Sequence, residues 1–219
     1  MALAHSYSAV KAFETCPRQY HQVRILKRFK QSETEAMLYG TAVHTAMEEF
    51  LMNGTPLPAQ FSQFQSFADS VNKAKGIRLC EVKMGIRADF SPCGFYDKDV
   101  WFRGMPDVLF IEGDLARVGD WKTGKSSRYA DPDQLELMAA MTMAHYPEVK
   151  RVKGALIFLV AKDTIKADYT RDQFAAIMSK WAGRASRIES ALETGTWNPR
   201  KGPLCRFCPV DTNACEFKE

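Results

Sequence analysis

The sequence predicts an α/β protein in which helices flank a central mixed β-sheet. Helical periodicity occupies the first third of the chain, strand-like segments follow in the middle, and the last third contains a helix, a short apolar strand and a long helix. No repeat, low-complexity tract or linker interrupts this order, so we predict that residues 1–219 form a single domain. A composition of 46% hydrophobic and 26% charged residues excludes wholesale disorder.

The N-terminal third contains three predicted helices. Ser6 or Ser8 caps the first, which ends at Cys16-Pro17 because proline disfavours helical backbone in the residue before it. The second covers residues 41–52, and the Asn-Gly-Thr-Pro sequence that follows ends it. Residues at helical spacing then predict a third helix that faces the core; they are Phe61, Phe64, Phe67, Ala68 and Val71.

The pattern becomes strand-like after residue 77. Four predicted strands, separated by Pro, Gly and Asp, cover residues 79–88, 100–103, 108–111 and 115–121. A helix follows, with Asp131 as its N-cap and Pro132 at its first position. The continuous apolar run at 155–161 predicts a buried strand. Thr170 then opens a long helix that ends before Gly195.

The most informative segment is a predicted hairpin around Gly113-Asp114, which fits a type II′ turn because glycine comes first. In this register, residue numbers across the hairpin sum to 227 and Asp107 lies opposite Asp120. The two Cβ atoms would be about 5 Å apart. Carboxylates at that distance repel each other unless a cation lies between them. Lys122 projects from the same face as Asp120, since it lies two residues further along the strand.

Asp107, Asp120 and Lys122 therefore predict a site for Mg²⁺ or Mn²⁺, with a metal-bound water close to an ammonium group. The alternative interpretation is a surface hairpin with solvated charges. We favour the metal site because the second carboxylate falls at the register that completes it, and because Gly104 and Gly119 leave room beside it.

Pro106-Asp107 followed by Asp120-Trp121-Lys122 resembles the signature of the PD-(D/E)xK nuclease superfamily. The extension Thr-Gly-Lys is similar to the branch that contains RecB-type nuclease domains and CRISPR-adaptation nucleases. The resemblance implies a restriction-endonuclease-like core that hydrolyses DNA phosphodiester bonds. It also implies that Asp107, Asp120 and the backbone carbonyl of Trp121 are metal ligands, and that Lys122 orients the attacking water.

Two further motifs of that branch have counterparts here. Its Gly-x-x-x-His pattern fits the five residues that end at His44, which the resemblance makes a metal ligand. Its Gln-x-x-x-Tyr pattern is matched only in part, because Gln134 is present but Met138 replaces the tyrosine. Gln134 is a candidate catalytic or DNA-contacting residue, although a capping box with Asp131 also explains it. Glu48, one turn after His44, could support the metal site from behind its ligands or be merely solvated, and we favour the solvated interpretation.

The chain contains six cysteines, and nothing else in it indicates an oxidising compartment, which argues against disulfides. The resemblance implies a [4Fe–4S] cluster that joins the two chain ends in one subregion; its ligands would be Cys16, Cys205, Cys208 and Cys215. Four thiolates also suit structural Zn²⁺, and free buried thiols remain a further alternative. Cys80 and Cys93 are interpreted as structural.

No apolar run reaches the roughly 20 residues of a membrane span, and the first residues lack the features of a signal peptide. We therefore expect a cytoplasmic protein, in the host cytoplasm if the gene belongs to a phage, with no membrane partner. The net charge of +4 is too small to identify an anionic partner, although basic residues concentrate between Lys11 and Lys30.

The resemblance implies a metal-dependent DNA exonuclease of phage or mobile-element recombination and end resection, with DNA as its partner. A CRISPR-adaptation-type nuclease that trims DNA ends is an alternative, and so is a non-catalytic DNA-binding protein on the same fold. The sequence leaves open a homo-oligomer and a single-strand annealing or recombination partner. We expect exonuclease rather than endonuclease action because it is typical of that branch. No residue of this chain indicates it.

Overall fold

The computed structural model describes residues 3–218, which divide into two compact units. The larger unit comprises residues 3–4 and Thr34–Met178, and the smaller comprises His5–Glu33 together with residues 179–218. Whether residues 1–219 fold as a single domain stays a prediction. Within the described residues, every helix is too short or too polar to cross a bilayer.

In the part of the chain that the structure describes, the regular structure comprises eight strands and six α-helices. The strands are β1 (Ile77–Cys80), β2 (Met84–Ile86), β3 (Pro92–Cys93), β4 (Phe102–Gly104), β5 (Val108–Glu112), β6 (Leu115–Lys122), β7 (Arg151–Phe158) and β8 (Asp163–Thr170). The helices are α1 (Tyr7–Thr15), α2 (Pro17–Tyr20), α3 (Glu35–Asn53), α4 (Gln65–Asn72), α5 (Asp133–His145) and α6 (Phe174–Thr194).

The larger unit contains a five-stranded sheet in the order β1-β5-β6-β7-β8. The pair β6–β7 is parallel and the other pairs are antiparallel, which confirms the predicted mixed sheet. Strand β7 begins four residues before the predicted run, because Arg151 and Lys153 alternate with buried residues there. Strand β8 was not predicted, since an edge strand with alternating exposed residues lacks an apolar run.

Each face of this sheet is covered by helices. On one face, α3 and α4 pack through Val43, Met47 and Ala68 against Val108 and Trp121. On the other face, α5 packs on the strands; its buried residues include Leu135, Met138, Ala139 and Met143. The α/β architecture predicted from the sequence is therefore confirmed.

Capping side chains determine where two of the helices begin. The Ser6 hydroxyl accepts a hydrogen bond from the Ala9 amide and caps α1, as predicted. Helix α3 starts six residues before the predicted position, because Thr34 caps it through the Met37 amide. The predicted third helix divides into a 3₁₀ segment, Ala59–Phe64, and then α4. Helix α5 begins at Asp133, two residues after the predicted cap.

A smaller sheet, with the order β3-β2-β4, lies between β1 and β5 in the chain. The predicted continuous strand over 79–88 is wrong at residues 81–83, because the chain turns there and Glu81 takes a φ of 50°. This turn separates β1 from β2 and brings Glu81 to the end of the main sheet.

The smaller unit contains α1, α2 and most of α6. The Glu14 carboxylate accepts two hydrogen bonds from Arg184, at 2.8 and 2.6 Å, and one from Arg187 at 2.7 Å. The Trp197 ring stacks on His21 with a centroid distance of 4.4 Å. These contacts join the N-terminal and C-terminal segments of the chain within this unit.

Candidate active site

The predicted hairpin register is confirmed. Val108 pairs with Gly119 and Leu109 with Val118, so paired numbers sum to 227, and Gly113 takes the positive φ of 60° that the turn requires. Asp107 directly precedes β5, and its Oδ2 accepts a hydrogen bond of 2.5 Å from the Trp121 amide. The Asp107 carboxylate thus adds one side-chain hydrogen bond beyond the last backbone pair of the hairpin.

Glu81 was not predicted as part of the site, yet it lies opposite Asp107. Strand β1 pairs with β5 so that Cys80 faces Val108, and the next pair in this register is Glu81 with Asp107. The Glu81 amide donates to the Asp107 carbonyl at 3.2 Å. Glu81, Asp107 and Asp120 therefore form a row across three adjacent strands.

His44 reaches the same row from α3. Its Nδ1 lies 3.0 Å from Asp107 Oδ1, and ligand atoms of His44, Glu81 and Asp107 all lie within 4.8 Å of one another. Burial lowers the pKa of His44, but the hydrogen bond to Asp107 and the nearby carboxylates outweigh it, so the pKa is raised overall. The structure thus joins two residues predicted as metal ligands with a third that sequence reasoning missed.

Burial and neighbouring carboxylates destabilise the charged forms of Glu81 and Asp120. Burial, Asp107 and Glu48 together raise the pKa of Glu81 to about 7. Burial and the charge of Asp107 also raise the pKa of Asp120, while Lys122 opposes that change. Such crowding is the electrostatic signature of a site that gains stability when a cation binds.

Asp120, Lys122 and Gln134 form a second group beside the first. Lys122 Nζ lies 2.6 Å from Asp120 Oδ2 and donates to Gln134 Oε1 at 3.0 Å. The Gln134 amide nitrogen donates to Asp120 Oδ1 at 2.5 Å. The capping-box explanation of Gln134 is therefore wrong: the side chain of Gln134 turns to Asp120 and Lys122, while Asp131 Oδ1 accepts from the Asp133 amide.

A cleft of about 400 Å³ opens beside His44; it is lined by Gly40, Thr41, His44, Thr45, Glu48, Glu81, Met105 and Asp107. Glu48, which the sequence analysis interpreted as solvated, is half-buried in this lining. Gly40 lies close to the loop after β6, since a Cβ there would lie 3.1 Å from Thr123 Oγ1. The cleft is large enough to admit a phosphate group to the acidic row.

The two glycines expected to leave room beside the site have another role. A Cβ at Gly119 would lie 2.9 Å from Val108 Cγ1, and one at Gly104 would lie 2.8 Å from Met141 Sδ. The space beside them is therefore filled by packed side chains. The Trp121 side chain points to the α3–α4 face, where it contacts Phe67 with ring centroids 5.4 Å apart.

The smaller unit holds the four cysteines that were predicted as cluster ligands. Cys16, Cys205, Cys208 and Cys215 line one cavity of about 280 Å³. Backbone amides of Arg200 and Gly202 each donate to a sulfur at 3.4 Å, the first to Cys16 and the second to Cys205. Burial raises the pKa of the Cys208 thiol. Cys80 and Cys93 lie in the larger unit, on β1 and β3.

With this geometry in place, comparisons with known proteins identify the class. A sequence model of the PD-(D/E)XK nuclease superfamily matches residues 4–75 and 61–215. The chain therefore belongs to the PD-(D/E)XK nuclease superfamily, and it is a nuclease by family. No curated protein matches it.

Two solved structures share the fold. One, from Eubacterium rectale, is described as a candidate exonuclease; it superposes with a TM-score of 0.53 at 16% identity, over 93% of this chain and 86% of that one. The other, SSO0001, superposes with a TM-score of 0.51 at 14% identity, over 99% of this chain and 87% of that one. At these identities the likeness establishes the restriction-endonuclease-like fold.

Proposed function

We propose that this chain is a divalent-metal-dependent deoxyribonuclease that degrades linear DNA from its ends. The observation that carries the proposal is the row of Glu81, Asp107 and Asp120 across neighbouring strands, with His44 on one side and Lys122 on the other. Family membership supports hydrolysis of nucleic acid, and the description of the Eubacterium rectale structure supports exonuclease action.

The residues present suit Mg²⁺ or Mn²⁺. Two carboxylates and an imidazole nitrogen lie within 4.8 Å of one another, and hard divalent cations prefer oxygen-rich donor sets of this kind. The raised pKa of Glu81, about 7, supports the same assignment, because a bound cation would relieve the repulsion that burial intensifies. A divalent ion supplies Lewis-acid polarisation of the phosphate and an activated water.

The remaining side chains have separate roles in the proposal. His44, Glu81 and Asp107 hold the ion, and Asp120 and the Trp121 carbonyl complete its surroundings. Lys122 orients the attacking water and stabilises the negative charge that develops on the phosphate. Gln134 is a positioning residue, because its amide contacts both Asp120 and Lys122 and so fixes the ammonium relative to the acidic row.

We also propose that Cys16, Cys205, Cys208 and Cys215 hold a [4Fe–4S] cluster. The sulfurs share a cavity, and amide groups donate to two of them, as they do to thiolate ligands. Four thiolates also suit structural Zn²⁺, and the iron and zinc contents of the purified protein distinguish the two metals.

The biological role that we propose is processing of DNA ends in phage or mobile-element recombination. End resection requires a nuclease that starts at a free end and leaves closed circles intact. The test therefore compares linear with circular DNA, in addition to the presence and absence of a divalent metal.

The experiment uses protein purified without oxygen, together with end-labelled linear DNA and closed circular DNA. We expect degradation of the linear DNA in Mg²⁺ or Mn²⁺, none in EDTA, and intact circles. Asp120→Asn and Lys122→Ala should abolish cleavage, whereas Asp114→Asn, at the exposed turn of the same hairpin, should not. Cutting of circles would overturn exonuclease action, and cleavage in EDTA would overturn metal dependence.

A further inference from the structure

The segment between Glu81 and Asp107 leaves the main sheet at the acidic row and returns to it. Strand β2 begins three residues after Glu81, and β4 ends three residues before Asp107. Because consecutive Cα atoms are about 3.8 Å apart, the end of β4 lies within about 11 Å of Asp107. Met105, between them, lines the active-site cleft. The small sheet is thus attached at both ends to the candidate active site.

Two aromatic rings and two cations meet at the base of this segment. The rings of Phe95 and Tyr96 are edge to face, with centroids 4.9 Å apart. Lys83 Nζ lies 5.4 Å from the centre of the Tyr96 ring, and the Arg103 guanidinium lies 5.2 Å from the centre of the Phe95 ring. Tyr96 is 73% exposed, which is high for a side chain of its size. We call these four side chains the aromatic–cation platform.

Charges within the segment leave the platform positive. The Arg87 guanidinium pairs with Asp97 at 3.2 Å and with Asp99 at 2.6 Å, so these two carboxylates contact Arg87 and neither Lys83 nor Arg103. In the described part of the chain, no carboxylate lies within 4.0 Å of the Lys83 ammonium or the Arg103 guanidinium. Both cations therefore remain available to an anionic ligand.

We propose that the aromatic–cation platform binds unpaired bases of the DNA strand that enters the active site. This inference rests on the proposed nuclease function and specifies its substrate. Exposed aromatic rings stack on bases of any sequence, and neighbouring cations contact the phosphates. Bases inside a duplex already stack on both neighbours, so the Tyr96 ring selects a strand whose end is single-stranded.

The test measures binding without cleavage. Fluorescence anisotropy in EDTA gives the affinity of the full chain for a short labelled oligothymidylate and for a blunt hairpin duplex. Tyr96→Leu keeps apolar volume but removes the π face, and Tyr96→Phe keeps the ring. We expect Tyr96→Leu to weaken oligothymidylate binding about tenfold, because stacking of one base contributes of that order. Tyr96→Phe should bind like wild type, and neither variant should change duplex binding.

A second measurement reports stacking itself. Single-stranded DNA that carries 2-aminopurine should lose fluorescence on binding to wild type and to Tyr96→Phe, and should keep it with Tyr96→Leu. Equal affinity of all three proteins for oligothymidylate would overturn the platform, and so would an equal loss of duplex binding by Tyr96→Leu. Cleavage of linear DNA by wild type in Mn²⁺ is measured in parallel. If wild type cleaves DNA but the Tyr96 variants bind oligothymidylate as wild type does, only this inference is refuted. If wild type does not cleave DNA, the nuclease proposal is refuted.

Discussion

Replacing Glu81 with glutamine should stabilise the metal-free protein at alkaline pH. The pKa of the Glu81 carboxyl is raised from 4.5 to about 7 by burial and by Asp107 and Glu48. The folded state therefore binds more protons than the unfolded state in this interval, and stability falls as the pH rises from about 4.5 to about 7. Above pH 7 the full penalty of the charged carboxylate is present.

The size of this penalty follows from the shift. At about 1.4 kcal/mol per pKa unit, the shift corresponds to roughly 3 kcal/mol. Glu81 is only partly buried, so solvent screening reduces the penalty to about 1–2 kcal/mol. For a chain of this length, each kcal/mol changes the melting temperature by about 2–4 °C, so Glu81→Gln should melt about 2–8 °C higher than wild type at pH 8.

Thermal unfolding in EDTA at pH 4 and pH 8 checks this prediction. Glu49→Gln is the matched control, because Glu49 is exposed on α3 and glutamine can still accept the hydrogen bond from Asn53. The gain in melting temperature should be nearly absent at pH 4, where Glu81 is mostly protonated in both states. A gain of equal size at both pH values, or a loss at pH 8, would refute the reasoning.

Adding Mn²⁺ should reverse the order of the melting temperatures of wild type and Glu81→Gln. Wild type should gain thermal stability with Mn²⁺ at pH 8, because the ion offsets the charge of Glu81 and binds only the folded state. Glu81→Gln should gain much less, since it lacks one ligand. Equal stabilisation by Mn²⁺ would remove Glu81 from the ligand set.

Three further predictions concern other residues. Gln134→Ala should lower cleavage about 10–100-fold, because it releases Lys122 without removing it; steady-state kinetics check this. Cys205→Ser should lose the iron content and the absorbance near 400 nm of anaerobically purified protein, whereas Cys93→Ser should keep both. Arg184→Ala, which removes the two hydrogen bonds from Arg184 to Glu14, should reduce the free energy of unfolding by about 1.5–3 kcal/mol in urea titrations, against about 0–1 kcal/mol for exposed Arg187→Ala.

The hairpin half of the site was predictable because its contacts are local. A two-residue turn at Gly113 fixes the register of β5 and β6, and this register places Asp107 beside Asp120 without any knowledge of the remaining fold. Lys122 then follows from the alternation of side chains along one strand. Local geometry therefore sufficed for these three residues.

Glu81 was not predictable in the same way. Its position depends on the pairing of β1 with β5, which are separated in the chain by the small sheet. A short strand that ends in a left-handed residue carries no periodic signal, and Glu81 itself has a φ of 50°. The continuous strand predicted over residues 79–88 placed Glu81 in its interior, so nothing in the sequence marked Glu81 as a residue at a strand end.

Gln134 illustrates how two local rules compete. Its spacing from Asp131 satisfies a capping box, but the side chain instead bridges Asp120 and Lys122. The ammonium and the buried carboxylate are charged partners, and hydrogen bonds to charged groups are stronger than those to a backbone amide. The tertiary contact therefore prevails over the local one.

We propose that His44, Glu81 and Asp107 together hold one divalent ion. Anomalous diffraction from a crystal soaked in Mn²⁺ tests it most directly, because it locates manganese independently of any assay. We expect one peak in contact with Asp107 and with the other two side chains, and its loss in Asp107→Asn. If manganese is absent from this row in a crystal of protein that cleaves DNA with Mn²⁺, these three residues do not hold the ion.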